Sequence, residues 1–515
     1  MDLERDASHW WPTLGVMIGG LAVALSQGVL HVAIPSMMSS LSADLDRIQW
    51  VSTAYQIVQA VLIPAVGWLG ARMGTKPLFI VSTLLFITGS ALCGLAWDVH
   101  SLIVFRILQG IGGGPITPLG MSILYSSFPP EKRGLAMGLY NFSHSFGPAI
   151  APALGGHLIE VLNWRAIFYI NVPVGLLSAG IVLFTMPKSQ DRRSRPFYAW
   201  GVFSLAGFII LGLLAISEGR RYGWNSQTIL TLFVVSGISL VTFIVAELKT
   251  SQPFVEIRLY KNLPFSMGSL IAFLDTMEFR GTHFLMPIMF QRIFHYTPFQ
   301  TGLFFLPPAL VMGTTSILAG RLADKFQPKL LLLLGLLVLS YVSFLFSAID
   351  IWTTTGTLLG LVIIRRAAQA FCHSPLTTAT LRGVPEDDVR MASGLFTMHR
   401  TLAGAVGTAV TATLLDYRQD LHAAILSQRQ SLYPLGTQVA VETIRGVLVQ
   451  DGNTDGLLAQ KTAAVLRQML SAEAGLAAYQ DLFFMFAALM LFSIVPVLLM
   501  RGGKAPRRVK VAKGE

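Results

Sequence analysis

The chain is poor in charged residues and in cysteine. Only 13% of its 515 residues are charged and 53% are hydrophobic, whereas soluble domains carry roughly 25% charged residues. The polar surface that several soluble domains would need is therefore missing. The two cysteines, Cys93 and Cys372, both fall inside apolar segments, which argues against a disulfide framework and a thiolate metal site. We expect an all-α membrane protein that holds no metal.

Acidic residues are scarce relative to basic ones, and the net charge is +11. Membrane proteins gather Lys and Arg in their cytoplasmic loops, so we interpret the surplus in this way and expect no nucleic-acid partner. The basic start of a signal peptide is missing too, because residues 1–6 hold three acids and one arginine. The apolar run over residues 13–35 is therefore predicted to be the first transmembrane helix.

Apolar runs long enough to cross a bilayer recur along the whole chain. A span takes about 20 residues, because the hydrocarbon core is about 30 Å thick and a helix rises about 1.5 Å per residue. Fourteen runs qualify, and an even number places both termini on one side. Basic clusters near 192–195 and 507–510 make that side the cytoplasm. The runs lie near 13–35, 49–70, 78–97, 101–124, 134–158, 167–186, 199–218, 228–247, 267–290, 302–320, 330–348, 355–380, 394–414 and 479–501.

One connection, over residues 415–478, is long and too polar to insert. The predicted topology puts it on the outer face. Residues 457–478 have the pattern of an amphipathic helix. The segment is either a solvated cap over the exit or a docking surface for a partner, and its residues alone leave both open.

Two glycine-led basic loops follow comparable sets of helices. The first contains Gly67, Arg72 and Gly74, and the second contains Gly320 and Asp324. Two such loops at corresponding places indicate an internal repeat, which is the architecture of many secondary transporters. We predict that their charges pair with a neighbouring helix end in one conformational state and release it in the other.

Arginines occur inside the spans as well. Arg106 precedes Gln109 by three residues in the fourth run, and Arg366 and Gln369 repeat this spacing in the twelfth. Residues three apart share a helix face, and a charge at membrane depth is a functional candidate by default. A structural salt bridge between helices is the alternative. In the fifth run, small residues and prolines allow close helix contact and kinking: Gly138, Gly147, Ala151, Pro152, Gly155 and Gly156.

Taken in order, these motifs resemble the major facilitator superfamily, in its fourteen-span drug:proton antiporter branch. The loop 67–76 resembles the superfamily's signature loop, 106–110 its span-four motif, and 138–156 the antiporter motif. Likeness to EmrB-type inner-membrane exporters comes from the segments 375–378, 392–395 and 400–404, followed by 415–478.

The resemblance implies a major facilitator fold of two six-helix bundles, residues 1–190 and 263–515, with two inserted helices over 191–262. It implies a proton-coupled antiporter that exports small hydrophobic drugs or toxic compounds across the inner membrane by alternating access. The proton gradient is the energy source, so no cofactor is expected. A periplasmic adaptor and an outer-membrane channel are the implied partners, which favours docking at 415–478.

The chain departs from this family in its first span. The branch usually carries an Asp and an Asn where this sequence has Ser26 and His31, so the proton site must be sought elsewhere. Asp275 and Glu278 lie three apart in the ninth run, and two close carboxylates cannot easily both ionise in a low dielectric. We predict that this pair couples transport to protons, together with Arg106; static neutralisation by an arginine is the alternative. An imidazole at His31 suits a proton relay or a plain helix contact.

The cargo site is expected near the midplane, between the two bundles. Carboxylates reaching this cavity would favour cationic cargo and arginines would favour anionic cargo, and the sequence leaves this open. The candidate lining residues are Gln27, Tyr55, Tyr140, Phe142, Met286, Phe290, Met398 and Arg400.

Other functions compete with multidrug export. A dedicated exporter of one metabolite, such as a siderophore, would have the same fold. A membrane sensor that binds without transporting is favoured by the missing acid at Ser26 and disfavoured by the Arg106 motif. An enzyme is not expected, because no Ser/His/Asp or HExxH arrangement is present.

Overall fold

The computed structural model describes residues 10–43, 45–187, 198–250, 254–382, 384–432, 434–450 and 457–500, and this part of the chain is helical without any β-strand. The first group of helices is α1 (Trp10–Ser40), α2 (Leu45–Leu62), α3 (Val66–Met73), α4 (Thr75–Gly94), α5 (Val99–Ser127), α6 (Arg133–Val161), α7 (Ala166–Tyr169) and α8 (Asn171–Thr185).

Two helices follow in the middle of the chain, α9 (Ala199–Tyr222) and α10 (Gln227–Lys249). The second group is α11 (Leu263–Arg292), α12 (Pro298–Lys325), α13 (Pro328–Phe346), α14 (Thr355–Leu381), α15 (Val389–Leu432), α16 (Pro434–Gln450), α17 (Leu458–Phe492) and α18 (Ile494–Leu499).

Each of the fourteen predicted runs coincides with a helix or a broken helix. Nine helices of the described residues are long and apolar enough to cross a membrane, and ten when α2 and α3 are taken as one span bent by 61°. Pro64 lies at this bend, where it cannot donate a backbone hydrogen bond. The other four units, α6, α11, α14 and α15, are long but less apolar, because they carry the buried polar groups described below.

The helices pack chiefly within their own group. In the first group α4 packs on α5 and α1 on α6; in the second, α11 packs on α15 and α14 on both α12 and α13. The middle helices α9 and α10 pack on each other, and most of their apolar side chains stay exposed. Such surfaces suit contact with lipid tails. This architecture confirms the predicted major facilitator fold.

The two groups meet where α6 crosses α12. A Cβ added to Gly134 would lie 2.3 Å from the carbonyl oxygen of Gly320, and one on Gly138 would lie 2.6 Å from that of Ser316. Only glycine permits backbones this close. Farther along, Phe142 approaches within 3.1 Å of the Cβ position of Gly313. The contact therefore runs along the end of the helices that carries the glycine-led loops.

The segment predicted as a long connection, 415–478, is largely built from helix. The helix α15 continues to Leu432 and is 44 residues long, and α17 starts at Leu458. The amphipathic helix predicted over 457–478 is thus the first part of α17. Where α15 and α17 leave the predicted spans, Arg220 of α9 pairs with Asp416 of α15 at 2.6 Å. His422 of α15 contacts Asp481 of α17 at 2.8 Å.

Candidate functional site

A polar cluster lies inside the first group of helices, around Arg106. This guanidinium group is fully buried and donates to the Gln109 side chain at 2.6 Å and to the hydroxyl of Ser26 at 3.3 Å. It also lies over the ring of Tyr55, 4.1 Å from the centroid. Gln109 in turn donates to Ser26 and to Ser90. Within the described residues no carboxylate pairs with Arg106, so its charge is balanced only by dipoles and an aromatic face.

A second polar cluster lies inside the second group, between α11 and α14. Glu278 and Arg365 form an ion pair, and their side chains are 0% and 2% exposed. Arg365 also donates to the hydroxyls of Thr282 at 2.6 Å and Ser343 at 2.7 Å. An arginine does not lose its proton in proteins, so this pair is a permanent one.

Asp275 belongs to the same cluster but has a different partner. Its Oδ2 lies 2.9 Å from Nε2 of His373, at ion-pair distance but without the alignment of a hydrogen bond. Gln369 donates to its Oδ1 at 3.1 Å. The exposed fraction is 1% for Asp275 and 5% for His373. Unlike Glu278, which pairs with a guanidinium group, this carboxylate faces the imidazole of a histidine.

The two clusters occupy corresponding places in the internal repeat. Gln109 and Gln369 are the matching glutamines of the repeated Arg-x-x-Gln spacing. Gln109 reaches Ser26 on α1, and Gln369 reaches Asp275 on α11. The carboxylate that is missing from the first group is therefore present at the equivalent position of the second.

Two further arginines line the space between the groups. Arg280 of α11 is exposed although it lies about 26 Å along its helix, and its side chain packs across Gly404 of α15. Arg400, one turn before Gly404, is partly exposed and donates to Thr276 at 3.4 Å. The charges of Arg280 and Arg400 are close enough to repel each other. His144 of α6 is within electrostatic range of both.

The predicted cargo residues divide between this space and the packed interior. Gln27 donates to Gln59 at 2.9 Å, and the ring of Tyr140 lies tilted by 57° against that of His144, with centroids 4.6 Å apart. Phe142 lies at the α6–α12 crossing. The remaining four are nearly or fully buried in the packed interior, where Tyr55 lies beside Arg106: Tyr55, Met286, Phe290 and Met398.

The predicted switch residues join the two groups at the loop end. Both carboxylate oxygens of Asp324 accept from the first backbone N–H groups of α6, at 2.6 and 2.9 Å, where the helix dipole favours a negative charge. Arg390 of α15 donates to Thr75 at 2.9 Å, and Arg133 pairs with Glu386 at 2.7 Å. These contacts close this end of the protein.

The signature loop, residues 67–76, also makes contacts at this closed end. A Cβ on Gly67 would lie 2.7 Å from the sulfur of Met391 of α15. Arg72 is exposed and lies 5.5 Å from the ring of Trp68. Gly74 has φ 87°, a conformation that favours glycine.

The small residues of α6 serve its contact with α1. Cβ atoms on Gly147 and Gly155 would lie 2.7 Å from Ala24 and 2.5 Å from Val29, whereas Gly156 faces open space. Helix α6 runs through Pro152, and α1 through His31. The side chains of these two residues lie outside the described part, so their predicted roles stay predictions.

Sequence reasoning missed two members of the second cluster. It singled out Arg366, but its neighbour Arg365 pairs with Glu278, and Arg366 lies 5.1 Å from the ring of Phe279. It also passed over His373, which follows Gln369 by one helical turn and so shares its face. That i, i+4 spacing was the available signal.

Comparison with known proteins agrees with this architecture. The model of the Major Facilitator Superfamily matches residues 16–408, and the chain belongs to this family; it is a membrane transporter rather than an enzyme. It is 32% identical to the multidrug export protein EmrB of Haemophilus influenzae, over 92% of each chain. It is 30% identical to EmrB of Escherichia coli K12, over 87% of this chain and 88% of that protein. The resemblance to EmrB-type exporters is thereby confirmed.

A solved structure extends the comparison to the fold. The human organic anion transporter MFSD10 superposes with a TM-score of 0.61 and 15% sequence identity, over 96% of this chain and 99% of that one. At this identity the likeness concerns the fold alone.

Proposed function

We propose that this chain is a proton-coupled antiporter that exports small hydrophobic compounds, including drugs, by alternating access. Two EmrB proteins named for multidrug export are its relatives over most of its length. We further propose the inner membrane as its location, with both termini in the cytoplasm, because the basic residues gather on that side.

One observation carries the coupling part of this proposal. Asp275 is a buried carboxylate that faces His373 at 2.9 Å, at the repeat position where the first group has Ser26. Proton coupling needs a group at membrane depth that can be charged in one state and neutral in the other. Asp275 faces a histidine, a side chain able to carry a proton, whereas Glu278 pairs with the guanidinium group of Arg365. We assign coupling to the first pair and structural support to the second.

The contacts at the loop end support a place in the transport cycle. With the glycine-led loops in the cytoplasm, the Asp324 and Arg133–Glu386 contacts close the cytoplasmic side. The structure then corresponds to an outward-facing state, from which cargo leaves and a proton enters. Protonation of the Asp275 carboxylate itself would remove its negative charge, weaken its interaction with His373 and favour the inward-facing state.

We also propose that the projecting ends of α15 and α17, with α16, contact a periplasmic adaptor of a tripartite pump. The helices continue well past the predicted spans, which end at 414 and begin at 479. Most of their described residues beyond these spans are helical. Pull-down of a co-expressed adaptor by the full-length chain, with a deletion of 434–450 as comparison, tests this assignment.

The central experiment measures transport in everted membrane vesicles with an acidic lumen. We expect gradient-dependent uptake of the neutral dye Nile red by wild type and its loss after nigericin collapses the gradient. Asp275→Asn should abolish uphill uptake but retain downhill counterflow of the dye. Asp416→Asn, which removes an acid from an exposed ion pair, is the matched control and should transport normally.

Two results would contradict this proposal. Normal uphill uptake by Asp275→Asn would remove the coupling assignment. Wild-type protein that binds the dye but gives neither uptake nor counterflow would instead be a sensor. Protection of cells against one compound only, in a susceptibility panel, would indicate the alternative of a dedicated exporter of one metabolite such as a siderophore.

A further inference from the structure

Arg280 and Arg400 form a positively charged site that no acid of the described residues neutralises. Among the described residues neither guanidinium group has a carboxylate partner, and the one hydrogen bond between them and the protein is the long one from Arg400 to Thr276. The two carboxylates of α11 are turned into the helix packing, where they are 0–1% exposed. They are bound to Arg365 and His373 and do not face this space.

The backbone brings the two arginines together. A Cβ on Gly407 would lie 2.3 Å from the carbonyl oxygen of Met277, so α11 and α15 cross at backbone contact. Arg280 lies across Gly404, one turn farther toward Arg400, with its Cγ 3.3 Å from the Cβ position. A larger residue at Gly404 would occupy the place where the Arg280 side chain lies. With glycine there, the helix crossing holds the charges of Arg280 and Arg400 near each other.

Two neighbouring arginines repel each other, because their charges have the same sign. A charge placed at membrane depth is also costly. A bound anion removes both costs, and guanidinium groups bind carboxylates and sulfonates through several charge-assisted hydrogen bonds. The site is therefore complementary to a negative group.

A narrow and mostly apolar cleft lies between α1, α5 and α6. Its lining includes Val16, Met17, Ile116 and Leu124, together with Tyr140 and His144. His144 also interacts electrostatically with both arginines, which relates the cleft to the charged site. A molecule that spans both has a negative group at one end and an apolar body at the other.

We propose that Arg280 and Arg400 bind the negative group of an amphiphilic organic anion, whose apolar body lies in the cleft of α1, α5 and α6. This inference rests on the proposed export function and names its cargo: an aromatic or aliphatic sulfonate or carboxylate. The same site disfavours lipophilic cations, because the carboxylates that would attract them are sequestered.

A matched set of ligands tests the charge preference directly. The probes are 1-naphthalenesulfonate, neutral 1-naphthol and the trimethyl(1-naphthyl)ammonium ion, which share one ring system and differ in charge. Direct binding of each probe, radiolabelled, is measured to the full-length protein in nanodiscs. We expect the sulfonate to bind at least tenfold more tightly than the ammonium ion.

Variants then assign the preference to the two arginines. Arg280→Gln and Arg400→Gln should each weaken sulfonate binding by about tenfold to a hundredfold, the range of a hydrogen bond to a charged group. Naphthol binding should stay within about twofold, which separates loss of the site from misfolding. Arg400→Lys keeps the charge and should recover part of the affinity. Arg292→Gln, at the exposed end of α11, is the control for a lost positive charge and should bind as wild type does.

The outcomes separate this inference from the export function. Equal affinity of both arginine variants and wild type for the sulfonate, or tighter binding of the ammonium ion, overturns the anion site while gradient-driven Nile red transport still supports export. Arginine-dependent sulfonate binding without gradient-driven movement of the sulfonate or the dye supports the anion site and overturns export.

Discussion

Nε2 of His373 lies 2.9 Å from Oδ2 of Asp275, across the buried contact between α14 and α11. One turn along α11, Glu278 pairs instead with Arg365, whose guanidinium group has two further hydroxyl partners. Two carboxylates on one helix face thus have partners of different acidity. One partner is the imidazole of a histidine and the other is the guanidinium group of an arginine, which is the physical basis for giving them different roles.

Glu278→Gln should lower the stability of the folded protein as a whole, and its effect should not be confined to proton coupling. The change leaves the Arg365 charge buried and unpaired, which typically costs about 3–5 kcal/mol. We expect a clear drop in melting temperature in detergent. Glu386→Gln, which removes the 81% exposed partner of Arg133, should change the melting temperature little. An unchanged melting temperature for Glu278→Gln would show that the buried pair adds nothing to stability.

Ser26→Asp should not restore coupling to the Asp275→Asn variant. The new carboxylate would stand near Arg106, which now donates to the Ser26 hydroxyl at 3.3 Å, and it would pair with this arginine as Glu278 pairs with Arg365. Gradient-driven Nile red uptake by the double variant is the measurement, and Ser26→Asn is the control that adds bulk without charge. Uptake restored by Ser26→Asp would show that a carboxylate beside an arginine can couple transport to protons.

Linking the loop end should stop transport. The charged groups of Arg133 and Glu386 are 2.7 Å apart. After both residues are replaced by cysteine, a bifunctional thiol reagent spanning about 10 Å, the reach of two extended side chains, can join them. Cys93 and Cys372 are buried and should not compete. We expect uptake to cease on cross-linking and to return when a cleavable linker is reduced. Transport by the cross-linked protein would mean that this end need not open.

Gly134→Ala should impair closure of the same end. The added methyl group would lie 2.3 Å from the carbonyl oxygen of Gly320, so α6 and α12 must move apart, at a cost of about 1–3 kcal/mol for such overpacking. Slower uptake and a lower melting temperature are expected. Gly156→Ala on the same helix meets nothing within 4 Å and should behave as wild type.

The sequence predicted the spans well because lipid and core both require apolar residues. The hydropathy signal was weakest for α6, α11, α14 and α15. Their polar residues lower the hydropathy, and the proposed functional residues are among them. Arg365 and Arg366 could not be told apart, since adjacent helical residues point about 100° apart and either may face inward. The charge of the cargo site was also undecided, because only the packing shows that Asp275 and Glu278 are enclosed while Arg280 remains accessible.

Helix α15 continues beyond the predicted span, which ends at residue 414. The prediction used hydropathy, which marks where a chain leaves the bilayer and not where a helix stops. Residues 415–432 are polar enough to leave lipid, yet they continue the same helix.

At about 1.5 Å per residue, the 44 residues of α15 extend about 66 Å, roughly twice the thickness of the hydrocarbon core. A single rigid rod therefore carries Arg390 at the closed end, Arg400 in the central space and Asp416 at the foot of the projection. A tilt of this rod moves all three at once, and the lever arm magnifies a small rotation at the cargo site into a displacement of several ångströms at its tip. Any molecule bound to the tip would be displaced by this movement, and its binding could oppose the conformational change of the transport cycle.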